Sequence, residues 1–364
     1  MLLPDLGNCP YYIAAPSYVQ TSAGIRVLHL LCHLLRARGH RAYIICTDYG
    51  KRPEVSSDLN TSLLNSVVIK DHIKQGLVPI LIYPEVINGN PYDANCVVRY
   101  VLNTPGLLAG DRVFDDNEMV WAYSNFLASQ CESCEGVLHM PVIDQYVFYE
   151  DVGRQRSGSA YYVAKYTDYH RQVEFGVPAD CIRITRDKKD SQTPDEMAEI
   201  LRSVEVLYVF ENTAVAIEAV LCGCPVIFMP NPYLEKPLAL EELGWDGYAW
   251  GASEEEVARA RSTVAKGQDN YKRTINEFEI QLSDFIEKTQ DKAKNCATQT
   301  FEKLEKHIRQ TCSYAVITRS LKRHKKIKLK HVLLILKTIL KLLPRALWNE
   351  VKKGEIKIKR LFAA

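Results

Sequence analysis

Tyr208-Val-Phe-Glu-Asn-Thr-Ala-Val-Ala-Ile-Glu-Ala-Val-Leu-Cys-Gly-Cys-Pro-Val-Ile-Phe228 sets a strand, a helix and a second strand in immediate succession. Val204–Phe210 reads as a strand, Thr213–Cys222 as a helix closed by Gly223, and Pro225–Met229 as a second, buried strand. The first backbone N–H groups of such a helix have no partner within it. They face the C-terminal edge of the sheet and form an anion site. Thr213 can cap the helix or offer its hydroxyl to a phosphate. Glu218 lies about one and a half turns into the helix, where a carboxylate can receive both hydroxyls of a ribose. Ala214, Ala216 and Ala219 let the helix pack close to its sheet.

The same grammar extends outward. Upstream, Ala160–Ala164 and Cys181–Thr185 read as strands, and Pro194–Arg202 as a helix with an acidic first turn capped by Thr193. Near the start, Tyr11–Ala15 reads as a buried strand, followed by a small-residue turn from Ser17 to Gly24. A helix is expected over Ile25–Arg38, with Val27, Leu28, Leu31, Leu34 and Leu35 on one face and Gly39 as its stop. With the strand Arg41–Cys46 this makes a βαβ unit, whose crossover is right-handed. Further strands are expected at Val78–Tyr83, Val97–Leu102 (where a helix is also admissible), Met119–Tyr123 and Gly136–His139. The polar stretch Asp151–Ser159 reads as a linker. Alternation of this kind implies α/β architecture with parallel sheets covered on both faces. At 364 residues, two lobes are expected, 1–150 and 151–310. The charged helical region Glu254–Gln310 carries apolar positions at Phe278, Leu282, Phe285, Phe301, Leu304 and Ile308.

The formal charge of +2 hides an asymmetry. Arg319–Ala364 holds fifteen Lys/Arg against two Glu, a net of +13, which leaves −11 on the rest. Such a tail implies an anionic partner. Its apolar run, His331–Leu343, is interrupted by Lys337 and Lys341 and falls short of a span of roughly 20 residues. Lys330, Lys337 and Lys341 share one helical face, opposite Leu333, Leu336, Ile339, Leu340 and Leu343, and Trp348 suits an interface. Residues 311–364 therefore read as a basic amphipathic tail, with 321–360 resting on an anionic membrane surface or docking on the acidic body. The start, Met1–Asp5, lacks a cationic region and a long apolar core. Eleven cysteines, an odd number, fit reduced thiols. The expectation is a cytoplasmic chain, peripheral on the inner face of the cytoplasmic membrane. No metal is expected: Cys131-Glu-Ser-Cys134 has no second pair, and His29 with His33 reads as a core or surface pair. The body has no aromatic-basic surface for nucleic acid.

The 208–228 segment resembles the nucleotide-sugar site of GT-B fold glycosyltransferases: a Glu, a few residues, a second Glu-Ala, then a small-Gly-x-Pro-Val-Ile turn. The likeness extends loosely over residues 10–310 and is to the group 1-like, bacterial polysaccharide or O-antigen type. It implies two Rossmann-like lobes with a cleft, the first holding the acceptor and the second the nucleotide sugar. The implied reaction moves a sugar from a nucleotide-sugar donor to a lipid-linked or growing cell-surface polysaccharide, with no cofactor besides the donor and no metal. Carried over, Glu218 holds the ribose, Glu211 lies beside the sugar as a catalytic group, and Asn212 and Thr213 border the donor. Six residues separate Glu211 from Glu218, where the common retaining form has seven. Lys165 and Arg186, the latter with Lys188 and Lys189, are placed to face the diphosphate. The family's Arg-x4-Lys pair has no clear match.

In the first lobe, Ser22-Ala-Gly-Ile-Arg26 is similar to the family's Gly-rich loop, making Ser22 and Gly24 acceptor-side residues. Tyr83-Pro-Glu-Val-Ile-Asn-Gly-Asn-Pro91 follows a strand and is either a plain polar turn or a second part of the site. In the latter case Asn90 faces the acceptor, and Glu85 serves as general base if the anomeric centre inverts. Arg99, Asn103 and Pro105-Gly106 add to the likeness. The enzyme reading requires the carboxylate of Glu218 to face the inter-lobe crevice. A nucleotide-sugar 2-epimerase of GT-B fold and a non-catalytic peripheral scaffold share the same architecture and stay open.

Overall fold

Strands joined by long crossovers instead of tight hairpins pair in parallel, because the crossover carries the chain back to the start of the next strand. The computed structural model of the chain describes residues 8–48, 53–164, 176–186 and 191–311. Among these residues the first lobe has β1 (Tyr11–Ala15), β2 (Ala42–Cys46), β3 (Ile80–Pro84), β4 (Val97–Val101), β5 (Met119–Ala122) and β6 (Gly136–Val137), in the order β2-β1-β3-β4-β5-β6. The second has β7 (Ser159–Tyr162), β8 (Ile182–Ile184), β9 (Val206–Val209), β10 (Val226–Phe228) and β11 (Tyr248–Trp250), in the order β11-β10-β9-β7-β8. Strand pairs in both sheets are parallel. The expected class, α/β with two Rossmann-like lobes, is the class observed.

Each sheet reverses its winding once, between β1 and β3 in the first and between β7 and β9 in the second. Crevices for ligands open beyond the strand C-termini at such reversals. Helix Ala23–Ala37 covers the first sheet with Val27, Leu28, Leu31 and Leu35, and ends at Gly39, whose φ of 86° a side chain would disfavour. In the second lobe, Thr193 and Glu196 form a reciprocal capping box on helix Pro194–Ser203. Val97–Val101 is a strand, with all five residues buried. Helix Ser66–Lys74, capped by Asn65, and β11 were not anticipated from the sequence.

The lobe boundary at 310 needs correction. Helix Gly267–Lys294 begins in the second lobe's core with Tyr271 and ends in the first lobe's core with Phe278, Leu282, Phe285 and Ala293. Residues 302–311 are helical, and Phe301, Leu304 and Ile308 pack with Tyr12, Ile45 and Leu81. The chain therefore returns to the first lobe after about Thr274. The described residues fall in one compact unit ending at Thr311. The basic tail, including 321–360, lies outside the described residues. Among the described residues no helix is long and apolar enough to cross a membrane.

Candidate active site

A cavity of about 260 Å³ lies between the two lobes, walled by residues that follow the strand ends. From the first lobe come Ser22 and Gly24 after β1, Glu85 after β3, and Asn103 after β4; from the second come Arg186 after β8 and Glu211, Asn212 and Thr213 after β9. Two winding reversals thus face one space. Much of the remaining wall is apolar or aromatic, including Leu28, Leu102, Tyr123, Ile217, Phe228 and Tyr248. Burial raises the Tyr123 and Tyr248 phenols above their ordinary 10.0, so both stay neutral.

Glu85 is 4% exposed, and its Oε2 accepts the backbone N–H of Leu102 at 2.9 Å. The loop that carries it is gripped from below by Arg99 of β4. That guanidinium is 1% exposed and pairs bidentately with Glu118 at 2.8 and 2.7 Å. It also donates to the carbonyls of Pro84, Ile87 and Gly89. A buried charge so fully paired holds a loop in one place. Glu211 is 1% exposed, and its Oε2 accepts the N–H of Ala164 at 2.9 Å, bridging the ends of β9 and β7. Thr213 caps helix Ala214–Leu221 by accepting the N–H of Val215. Asn212 holds the neighbouring loop, donating to Lys236 O and accepting from Leu238 N.

Two expected residues are placed differently. Asn90 is not on the cavity wall: its amide closes its own turn, bonding both backbone groups of Ala94 and accepting from the Tyr83 hydroxyl. The plain-turn reading holds for that residue. Glu218 is 0% exposed and sits behind the wall. Its carboxylate points between the lobes, where Arg186 of the second and Arg26 of the first donate to it. Lys165, Lys188 and Lys189 lie outside the described residues.

Arg26 was not singled out from the sequence, although a signal existed. It lies in the first turn of helix Ala23–Ala37, where the helix dipole disfavours a cation unless a tertiary partner compensates. It also donates to the carbonyl of Val142, between the lobes. Glu242 was missed too; its Oε1 accepts from both nitrogens of Asn125, joining the lobes, and burial raises its carboxyl above the ordinary 4.5. Cys131 and Cys134 donate to different carbonyls, and His29 and His33 bond separate backbone groups. Among the described residues no group of three or more His, Cys, Asp or Glu is placed to hold a metal.

Among solved structures, the chain is similar to a glycosyltransferase from Rickettsia africae ESF-5, at 11% identity and a TM-score of 0.44, over 79% of this chain and 100% of that one. It is also similar to spinosyn rhamnosyltransferase SpnG complexed with thymidine diphosphate, at 12% identity and a TM-score of 0.29, over 86% of this chain and 100% of that one. No protein-family model matches the chain, and no curated protein matches it. At such identities and scores neither likeness bears on the reaction; the residues of the site do.

Proposed function

We propose that the chain is a GT-B glycosyltransferase that moves a sugar from a nucleotide-sugar donor to a lipid-linked or growing cell-surface polysaccharide. The observation that carries this reading is one cavity walled by Glu85 from one lobe and by Arg186, Glu211 and Thr213 from the other. Transfer from a nucleotide sugar needs stabilisation of a departing diphosphate, a group that takes the acceptor's proton, and exclusion of water. Arg186 and the first turn of helix Ala214–Leu221, joined by Lys165, serve the diphosphate. Glu211 borders the transferred sugar. Glu85, held by the Leu102 N–H on the acceptor side, takes the proton of the attacking hydroxyl, which corresponds to inversion at the anomeric centre. Ser22 and Gly24 shape the acceptor's approach. The apolar wall excludes water and strengthens each charge interaction. The donor is the sole co-substrate, with no metal. The basic tail rests on the anionic inner face of the cytoplasmic membrane, where a lipid-linked acceptor is presented.

The test is incubation with sugar nucleotides of different bases, with and without polyprenyl-phosphate-linked acceptors. The expected result is acceptor-dependent release of nucleoside diphosphate, reduced about 10²- to 10⁴-fold in Glu85→Gln with donor binding retained. Absence of both binding and turnover across the panel overturns the reading. An isomerised donor formed without acceptor would point to the 2-epimerase instead.

A further inference from the structure

Glu218 has the sequence position of a ribose ligand but the surroundings of something else. Arg186 Nη1 lies 3.0 Å from Oε1 and 2.9 Å from Oε2, and Arg26 Nη2 lies 3.4 Å from Oε1. The Glu218 and Arg186 side chains are 0% and 4% exposed, so little water competes for these bonds. Both oxygens already accept charge-assisted bonds, roughly twice as strong as neutral ones, and the carboxylate lies behind the cavity wall, so ribose hydroxyls would have to move the arginines to reach it. A second observation concerns Arg186 itself. It lines the cavity, and its buried Nε has no hydrogen-bond partner among the described residues. An unpaired buried donor on a cavity wall calls for a ligand acceptor. The planar guanidinium, held at one nitrogen by both oxygens of Glu218, has its remaining donors fixed in direction.

We propose that Glu218 is a positioning residue that orients Arg186 toward an anionic group of the ligand, the diphosphate, and does not itself receive the ribose. Arg26 completes the arrangement from the first lobe. This rests on the sugar-nucleotide reading of the cavity and changes one assignment within it. A phosphate-directed cation and a ribose-directed carboxylate differ in what they discriminate. The first acts equally on a diphosphate with or without ribose hydroxyls; the second does not.

The experiment is calorimetric titration of the full chain with UDP, GDP, ADP and thymidine diphosphate, then with the 2′,3′-dideoxy analogue of the tightest binder. Glu218→Gln is expected to weaken both ligands at least about tenfold and leave the ratio of their Kd values unchanged within about twofold. A ratio that collapses toward one in the variant, from a larger value in the wild type, overturns the positioning role. A wild-type ratio already near one supports it, because no residue then reads the hydroxyls. Should Glu218→Gln not fold, Arg186→Met/Glu218→Leu replaces the buried pair by apolar groups, an exchange that folds in comparable cases. This double variant is expected to bind the diphosphate as weakly as Arg186→Met alone and to retain the wild-type ratio; a further loss overturns the proposal. Failure of the wild type to bind any of the four diphosphates overturns the donor reading itself.

Discussion

Glu85 reaches the cavity because two residues hold its loop in place. Arg99 grips the carbonyls of Pro84, Ile87 and Gly89, and Gly110 passes so close that an added Cβ would overlap the Glu85 carbonyl oxygen. Gly110 also has a φ of 82°, which an L side chain rarely adopts. Gly110→Ala is therefore expected to push the loop by about 1 Å and to lower kcat for the proposed sugar transfer by up to about a hundredfold. Steady-state kinetics beside circular dichroism check this: the rate should fall while the secondary structure stays. Several wall residues were legible because they follow predicted strand ends: Ser22, Gly24, Glu85, Arg186, Glu211 and Thr213. The burial of Glu218 was not legible, because its two cationic partners come from positions 192 and 32 residues away. Which of its two readings Asn90 takes was not legible, because an Asn that closes its own turn and one that faces a ligand look alike in one sequence.

Helix Gly267–Lys294 is the element that joins the two cores. At its start, Gly267 lies so close to Val220 of the Ala214–Leu221 helix that an added Cβ would overlap the valine methyl. Further along, Phe278, Leu282 and Phe285 recur at helical spacing and enter the first lobe's core. Phe285 is fully buried, with its ring 5.1 Å from Trp121 and 6.4 Å from Tyr11. Phe285→Ala leaves a cavity under β1 and β5 and should destabilise the fold by about 3–5 kcal/mol. Urea unfolding measures it, and a loss below about 1 kcal/mol would contradict the packing described. The amphipathic stripe was visible in the sequence. Which sheet it covers was not, because an apolar face specifies only that it will be buried.

The whole molecule brings the C-terminal edges of two parallel sheets to one cavity, with the Arg26–Glu218 and Asn125–Glu242 contacts spanning the lobes. Loss of stability in acid is expected from its buried imidazoles. Burial lowers His72 and His139 from 6.5 to about 4. The unfolded chain therefore takes up protons first as pH falls. The stability these groups contribute is present above pH 6.5 and lost progressively as the pH falls through about 4. Thermal melts from pH 7.5 to 4 should show Tm falling over that window, with a flatter curve in His72→Phe; parallel curves would contradict it. For the proposed membrane role of the tail, replacing Lys330, Lys337 and Lys341 with Glu in the full chain is expected to weaken binding to phosphatidylserine vesicles at least about tenfold. Co-sedimentation reads this out, and nucleotide binding should not change. Local periodicity, capping and strand-end placement were enough to place the α/β class, most strands and helices, and seven residues of the cavity wall: Ser22, Gly24, Glu85, Arg186, Glu211, Asn212 and Thr213. Only the tertiary structure decided where the second lobe ends, that Arg99 and Gly110 hold the Glu85 loop, and that two arginines enclose Glu218. Each of those depends on contacts between residues far apart in the chain, which no local pattern encodes.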